Sequence, residues 1–300
     1  MKDTKKMIIC FLTPALLFFA TIFLYPVCRT IIMSFFYAEG VSDSVSTWRF
    51  VGLENYQKLF STSIFLDSML NMLKIWLFGG IIVMVISLLF AAILTNGVKF
   101  KGFYKSVVYI PNIINAVAMS TMWITAVFNK RFGFLHNFFD WIGSDLAKVD
   151  YMSGSIKFWT LLVAFCFGSV GYYMLIFMSG IERISGDIYE AATIDGASKV
   201  CQFRKITLPL LRGVMKTCIT FWSIGVVGFF VWSQMWSAPL QSELTTITPF
   251  IYMYNVTFGT QGNTERNASL GAAVGVLMAL VVLLIFFVIN KTVKEDDSEF

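Results

Sequence analysis

A single histidine, His136, occurs in 300 residues, and none of the five cysteines (Cys10, Cys28, Cys166, Cys201, Cys218) forms a CxxC pair. Metal centres and disulfide frameworks both need clustered His and Cys ligands at set spacings, so neither is expected, and no metal ligand is assigned. The cysteines lie mostly within apolar runs and read as small buried apolar residues. Charge is scarce as well. Asp, Glu, Lys and Arg make up 14% of the chain, against roughly 25% in a soluble globular domain. No G-x-x-x-x-G-K-[ST] occurs, so a P-loop that would hold ATP is missing. No apolar run carries a matched acid and base at its centre, which removes the basis for a proton relay or an intramembrane enzyme. No catalytic residue is assigned, and no cofactor is expected on this chain. The net charge of +5 does not point to nucleic acid, because the basic residues sit in short clusters beside apolar runs.

What is abundant is apolar surface. Hydrophobic residues make up 57% of the chain and the mean hydropathy is +0.73, so a bilayer is the expected solvent. A spanning helix takes about 20 apolar residues at a rise of 1.5 Å each. Backbone polar groups in lipid must be satisfied within the segment, which leaves helices as the expected elements. Six runs qualify, near 8–36, 69–95, 107–128, 158–181, 209–235 and 268–290. The fold class expected is all-α, a polytopic membrane protein formed as one domain over 1–300. Lys2, Lys5 and Lys6 precede the first run, but its apolar stretch is longer than a signal core, so it reads as an uncleaved span. The uncharged stretch 244–264 is interrupted by Pro249, and its apolar part, Pro249 to Phe258, is too short to cross. It reads as a loop with an interfacial or re-entrant piece.

Six spans place both termini on one side. With that side cytoplasmic, fourteen Lys and Arg residues lie inside and eight outside, Arg29 aside, which favours termini in the cytoplasm. Arg29, beyond Pro26, and Lys74 read as long side chains reaching for the outer interface. Arg29 also admits a place on a solute path. The acidic tail 295–300 reads as solvated.

The segment 182–208, between the fourth and fifth spans, is polar enough to project from the membrane. Asp187 is a good helix N-cap with Glu190 three residues on, the spacing of a capping box. Two helical turns follow, from Ile188 to Ile194. Gly196 after Asp195 suits a left-handed C′ residue. A second short helix is expected from about Ser198 to Ile206, with Pro209 opening the next span. Ala191, Ala192 and Ala197 allow close approach, while Ile188, Tyr189, Ile194, Val200 and Phe203 supply apolar anchors. Physical reading alone leaves two options, a docking knob for a cytoplasmic partner or an ordinary amphipathic hairpin packed on its own bundle.

The spacing of Glu190, Ala191, Ala192, Gly196, Ile206, Leu208 and Pro209 resembles the EAA signature of ABC importer permeases. Its surroundings resemble the carbohydrate-type permeases, the maltose-transporter large-subunit group in particular. Further likenesses are Phe11-Leu-Thr-Pro to Tyr25-Pro26, Lys101-Gly-Phe-Tyr-Lys to Ile110-Pro111, and Phe128 to Asn137, so the resemblance covers roughly residues 10 to 290. It implies the type I ABC importer permease fold in a prokaryotic inner membrane. It also implies a second homologous permease, two ATPase subunits that carry ATP-Mg, and an extracytoplasmic solute-binding protein. On this resemblance Glu190, Ala191, Ala192, Asp195, Gly196, Ile206, Leu208 and Pro209 form the ATPase-coupling site. A secondary transporter or channel working without ATP is the alternative that six spans alone leave open.

The same resemblance puts the solute path along the middle of helices four and five. Phe167, Ser169, Tyr172 and Tyr173 in helix four, with Trp222 and Ser223 in helix five, offer ring faces and hydroxyls suited to a sugar. Trp232, Ser233 and Gln234 repeat that mixture. Helix five lacks the Asn residues that line the sugar site of the maltose group, and the large periplasmic insertion of some members is missing. An oligosaccharide is therefore expected, with a polyol such as glycerol phosphate as the alternative.

Overall fold

A computed structural model describes residues 2–237, 244–260 and 265–292; the acidic tail 295–300 lies outside these. Helices dominate, as the composition requires. They are α1 (Cys10–Met33), α2 (Glu54–Ser61), α3 (Ser63–Thr95), α4 (Lys101–Ile113), α5 (Ala116–Val127), α6 (Phe134–Trp141), α7 (Ile156–Ile181), α8 (Gly186–Ile194), α9 (Lys199–Leu210), α10 (Arg212–Val227), α11 (Val231–Trp236), α12 (Pro249–Phe258) and α13 (Ala268–Thr292). α1, α3, α7 and α13 are each long and apolar enough to cross a bilayer. The bent pairs α4–α5 and α9–α10 bring the spans to six when each pair is taken as one.

The chain forms two compact units. One comprises residues 1–66 and 249–280. Its helical chain begins at Lys2 and passes through a π turn at Ala20–Leu24, where the Tyr25 N–H donates to the Ala20 carbonyl. Pro26 follows at once, and a wider turn is how a helix absorbs the missing proline donor. The most apolar stretch of α1 has no buried residue at all. β1 (Phe36–Tyr37) pairs antiparallel with β2 (Arg49–Phe50). The first helix, expected to reach residue 36, thus ends at Met33 because the next residues turn into this hairpin. Asn55 of α2 holds the turn by donating to the carbonyls of Ser34 (2.9 Å) and Phe36 (2.8 Å). Arg29 is held by its own unit. It donates to the carbonyls of Val41 (3.1 Å) and Asp43 (3.3 Å) and lies over the Trp48 ring. The apolar piece Pro249 to Phe258, expected to be interfacial or re-entrant, forms α12, whose Tyr252 ring packs on Phe65.

The second unit comprises residues 67–248 and 281–300 and is built on α3 and α7. The Ser87 hydroxyl of α3 donates to the Val170 carbonyl of α7 at 2.8 Å, satisfying in the core a group that lipid would leave unpaired. α4 crosses α7 at Gly171, where any Cβ would run into the Val108 carbonyl. Lys74 lies over the Phe158 ring, 5.7 Å from its centroid. Spans four and six match expectation to within two residues, and the second begins earlier, at Ser63.

The other two spans are not straight. The expected helix 107–128 is broken, α4 and α5 meeting at 98°. Ile114 is extended and Asn115 caps α5, its side chain accepting from the Val117 N–H at 2.8 Å. The expected helix 209–235 fails at both ends. α9 passes through Pro209 and stops at Leu211, α10 leaves at 66°, and Gly228 ends α10 before α11. Pro209 therefore closes a helix instead of opening one. The π turn at Phe203–Thr207 accommodates it, with the Leu208 N–H reaching the Phe203 carbonyl.

Candidate functional site

The segment 182–208 folds as the sequence suggested, helix–turn–helix, with one correction to its cap. Ser185, not Asp187, caps α8; its hydroxyl accepts from the Asp187 N–H at 3.3 Å. Asp187 lies in the first turn, where the helix dipole favours an acid. Glu190 consequently sits two residues too late for the capping box. At the other end the Gly196 N–H donates to the Thr193 carbonyl (3.0 Å) and the Ala197 N–H to the Ala192 carbonyl (2.9 Å). With Asp195 as C-cap and Gly196 at φ +80°, this is the Schellman arrangement, and it needs a residue free of Cβ strain at Gly196. Ser198 then caps α9 by accepting from the Cys201 N–H.

Two side chains the sequence did not single out, Gln202 and Thr207, help to tie the pair together. Gln202, buried on α9, donates to the Thr193 hydroxyl (2.8 Å) and the Ala197 carbonyl (3.2 Å). The Tyr189 and Thr207 hydroxyls meet at 2.9 Å. Nothing in the sequence marks Gln202 beyond a polar residue on the inner side of a short helix. The base is tied to α4 by the Lys101–Glu182 ion pair at 2.5 Å. A cleft of about 290 Å³ lies beneath, lined by Thr95, Asn96, Ile181, Tyr189, Lys199 and Gln202.

Glu190, Ala191, Asp195 and Gly196 are exposed, and Ile206, Leu208 and Pro209 are half-buried. Ala192 is half-buried as well. Ile194 is 87% and Val200 68% exposed. Ile194 is thus left in the open, while the equally large Ile188 and Ile206 are half-buried.

The residues expected along the solute path separate into two groups. Tyr173, Trp222 and Ser223 are buried within this chain's own bundle. The Trp222 indole N–H donates to the Trp76 carbonyl (2.9 Å), and Ser223 Oγ accepts from the Trp76 indole N–H (2.8 Å). Trp222 fills the space over Gly79 and Gly80 that side chains there would occupy. Ser233 is buried on α11, donating to the Thr246 carbonyl, while Trp232 packs on Phe165. Phe167 and Tyr172 are surface residues of α7, the first edge-on to Trp123. At helical spacing, Ser169, Tyr172, Ile176, Ser179 and Arg183 form one face of α7, and Phe167 lies on another. Tyr109 of α4 and Thr217 of α10 join Tyr172, Ser179 and Arg183 around an open cleft of about 420 Å³. The spacing of three and four along α7 was the signal that could have found Ser179 and Arg183.

Four long apolar helices and two bent apolar pairs, with an exposed helix pair between the fourth and fifth candidate spans, fit a polytopic membrane permease. The chain belongs to the family of binding-protein-dependent transport system inner membrane components, whose model matches residues 83–294. It is 25% identical over 243 residues to the diacetylchitobiose uptake system permease protein NgcF of Streptomyces coelicolor, covering 75% of this chain and 69% of that one. It is also 25% identical to the lactose transport system permease protein LacF of Rhizobium radiobacter, over 83% and 82% of the two chains. In fold it is similar to a chain from the crystal structure of a bacterial ABC transporter involved in the import of the acidic polysaccharide alginate. The TM-score there is 0.81 at 21% identity, covering 97% of this chain and 96% of that one.

Proposed function

We propose that this chain is one of two permeases forming the path of a sugar importer, and that α8, Gly196 and α9 seat in a separate ATPase. The observation that carries the proposal is the braced pair itself: held by Gln202, Tyr189 and Thr207, turned at Gly196, and exposing Glu190, Asp195 and Ile194. ATP-Mg is bound by two ATPase subunits, not by this chain. A solute-binding protein delivers cargo on the other side of the inner membrane, and both termini are cytoplasmic. ATP and the loaded binding protein bias the inward- and outward-facing states differently, which transport by alternating access requires. The solute follows the Ser169–Tyr172 face of α7 and the cleft it shares with Tyr109 and Thr217. That cleft falls within the roughly 300–1,000 Å³ usual for small-molecule sites. The sugar assignment is supported by relatives named for diacetylchitobiose and lactose.

The test is Glu190→Lys in the importer reconstituted with its ATPases and binding protein. Uptake is expected to vanish while insertion into the membrane is unchanged. Undiminished uptake, or uptake by the wild-type chain without any ATPase, overturns the coupling and favours a secondary transporter. Uptake of glycerol phosphate in preference to any saccharide overturns the solute class alone.

A further inference from the structure

The segment between α5 and α7 carries an aromatic stripe that the transport reading does not use. On α6, Phe134 (62% exposed), Phe138 (44%) and Trp141 (82%) follow at spacings of four and three, so they share one face; Ile142 (52%) continues it. The opposite side of α6 is already occupied. His136 Nδ1 is 2.9 Å from the Ala147 carbonyl, which closes the helix onto the turn at Asp145–Lys148. The bare stripe is therefore not a core face lacking its partner within this unit.

Its place in the fold says what meets it. The Gly133 N–H donates to the Asn129 carbonyl at 3.0 Å, so α6 starts directly beyond the last turn of α5. The far end of the segment is fastened to α7, whose Thr160 hydroxyl reaches the Tyr151 carbonyl (3.3 Å), while Lys130 pairs with Asp150 (3.7 Å). Both ends of the segment are thus pinned to the adjoining ends of α5 and α7. The half-exposed Trp159, one turn into α7, marks the headgroup level, since exposed tryptophans in membrane helices collect there. α7 is 26 residues long, about 39 Å at 1.5 Å per residue, which puts this surface opposite the one bearing α8. A stripe of this kind facing water throughout the transport cycle would be an aggregation liability. A binding protein that must dock and leave calls for a more polar patch.

We infer that α6 lies in the plane of the membrane surface, with Phe134, Phe138 and Trp141 inserted at the boundary between phospholipid headgroups and acyl chains. It thereby fixes the mouth of the third and fourth spans against the leaflet opposite the coupling helices. Amphipathic helices with an aromatic face bind lipid in this way.

The test uses the full-length chain in phosphatidylcholine nanodiscs, alone and assembled with its partner subunits. The tryptophan emission removed by Trp141→Phe is isolated by difference. It is expected to be quenched when the lipid carries bromine near the headgroup end of its acyl chains, and to be shielded from aqueous iodide. In Phe134→Ser/Phe138→Ser that bromine quenching is expected to fall and iodide quenching to appear. Iodide quenching of Trp141 in the wild-type chain overturns the inference by showing a water-facing stripe. Shielding from both quenchers overturns it in favour of a protein partner, the binding protein or second permease if shielding arises only in the assembly.

Discussion

Replacing Gly196 by alanine and by asparagine separates the two jobs that a glycine at the turn between α8 and α9 could perform. Its φ of +80° lies in the left-handed region, and a Cβ built there meets no atom of this chain within 4 Å. The cost of Gly196→Ala within the chain is therefore conformational, about 1–2 kcal/mol. A difference of that size shifts the ratio of formed to unformed turn by a factor of roughly 5–30. If α8 must be presented at a fixed angle to an ATPase, ATP hydrolysis stimulated by the loaded binding protein should fall by a comparable factor. Insertion and thermal stability should change little, because the turn is exposed. Asparagine tolerates the left-handed region far better than alanine, so Gly196→Asn should recover much of the loss despite its larger side chain. The assay is stimulated ATPase activity of the reconstituted importer, normalised to inserted permease. An alanine variant with wild-type stimulation refutes the conformational reasoning. An asparagine variant worse than alanine refutes it differently, because the glycine would then be there to let a partner's surface approach.

Gln202→Leu removes the donor that links α9 to Thr193 and Ala197, part-buried hydrogen bonds worth about 0.5–1.5 kcal/mol each. Faster amide exchange across 186–202 and weaker ATPase stimulation are expected; unchanged exchange would show that the brace is redundant. Tyr172→Phe should raise the half-saturating solute concentration for uptake without lowering the melting temperature. Trp222→Ala should instead destabilise the unit by about 3–5 kcal/mol, read as a lower melting temperature in detergent. Reversing the charges of the Lys101–Glu182 pair, by Lys101→Glu together with Glu182→Lys, should leave melting unchanged. Both side chains are substantially exposed, and such pairs contribute about 0–1 kcal/mol.

The positions of the spans were legible because the length of an apolar run is itself the physical constraint that lipid imposes. Where those spans bend was not, because an apolar run encodes burial and not direction. Asn115 did carry a signal, a good N-cap inside the run 107–128, but it was hidden among Ile113, Ile114 and Ala116, which look like uninterrupted span. Pro209 misled for a related reason. A proline is tolerated at a helix start, yet a π turn at Phe203–Thr207 let the helix continue past it. The helix–turn–helix over 182–208 was legible in its turn, since the φ required of Gly196 follows from local chemistry alone. The choice between Ser185 and Asp187 as cap did not, because either side chain can accept the bond. Trp222 and Tyr172 illustrate the remaining gap. Both are amphipathic aromatics in spans, and only packing distinguishes the ring spent on Gly79 and Gly80 from the ring left at the surface.

The helices on either side of 182–208 differ in continuity, and on the proposed coupling that bears on how a push at α8 would reach the solute. α7 runs unbroken from Ile156 to Ile181 and is keyed to α3 through Ser87 and to α4 at Gly171. Tyr172 lies ten residues before Glu182, about 15 Å along the same rod. On the proposed coupling, a displacement at the base of α8 would reach Tyr172 through this continuous helix, together with α4, which packs on it at Gly171. The helical path on the other side is interrupted at Leu211 and again at Gly228, so α10 need not follow α9 as a rigid body. Coupling between distant sites needs an element with two discrete arrangements, and a continuous helix beside a jointed one would allow α7 to tilt against α10. The cleft at Tyr109, Tyr172 and Thr217 is lined by α4, α7 and α10, so it lies where such a tilt would open or close it.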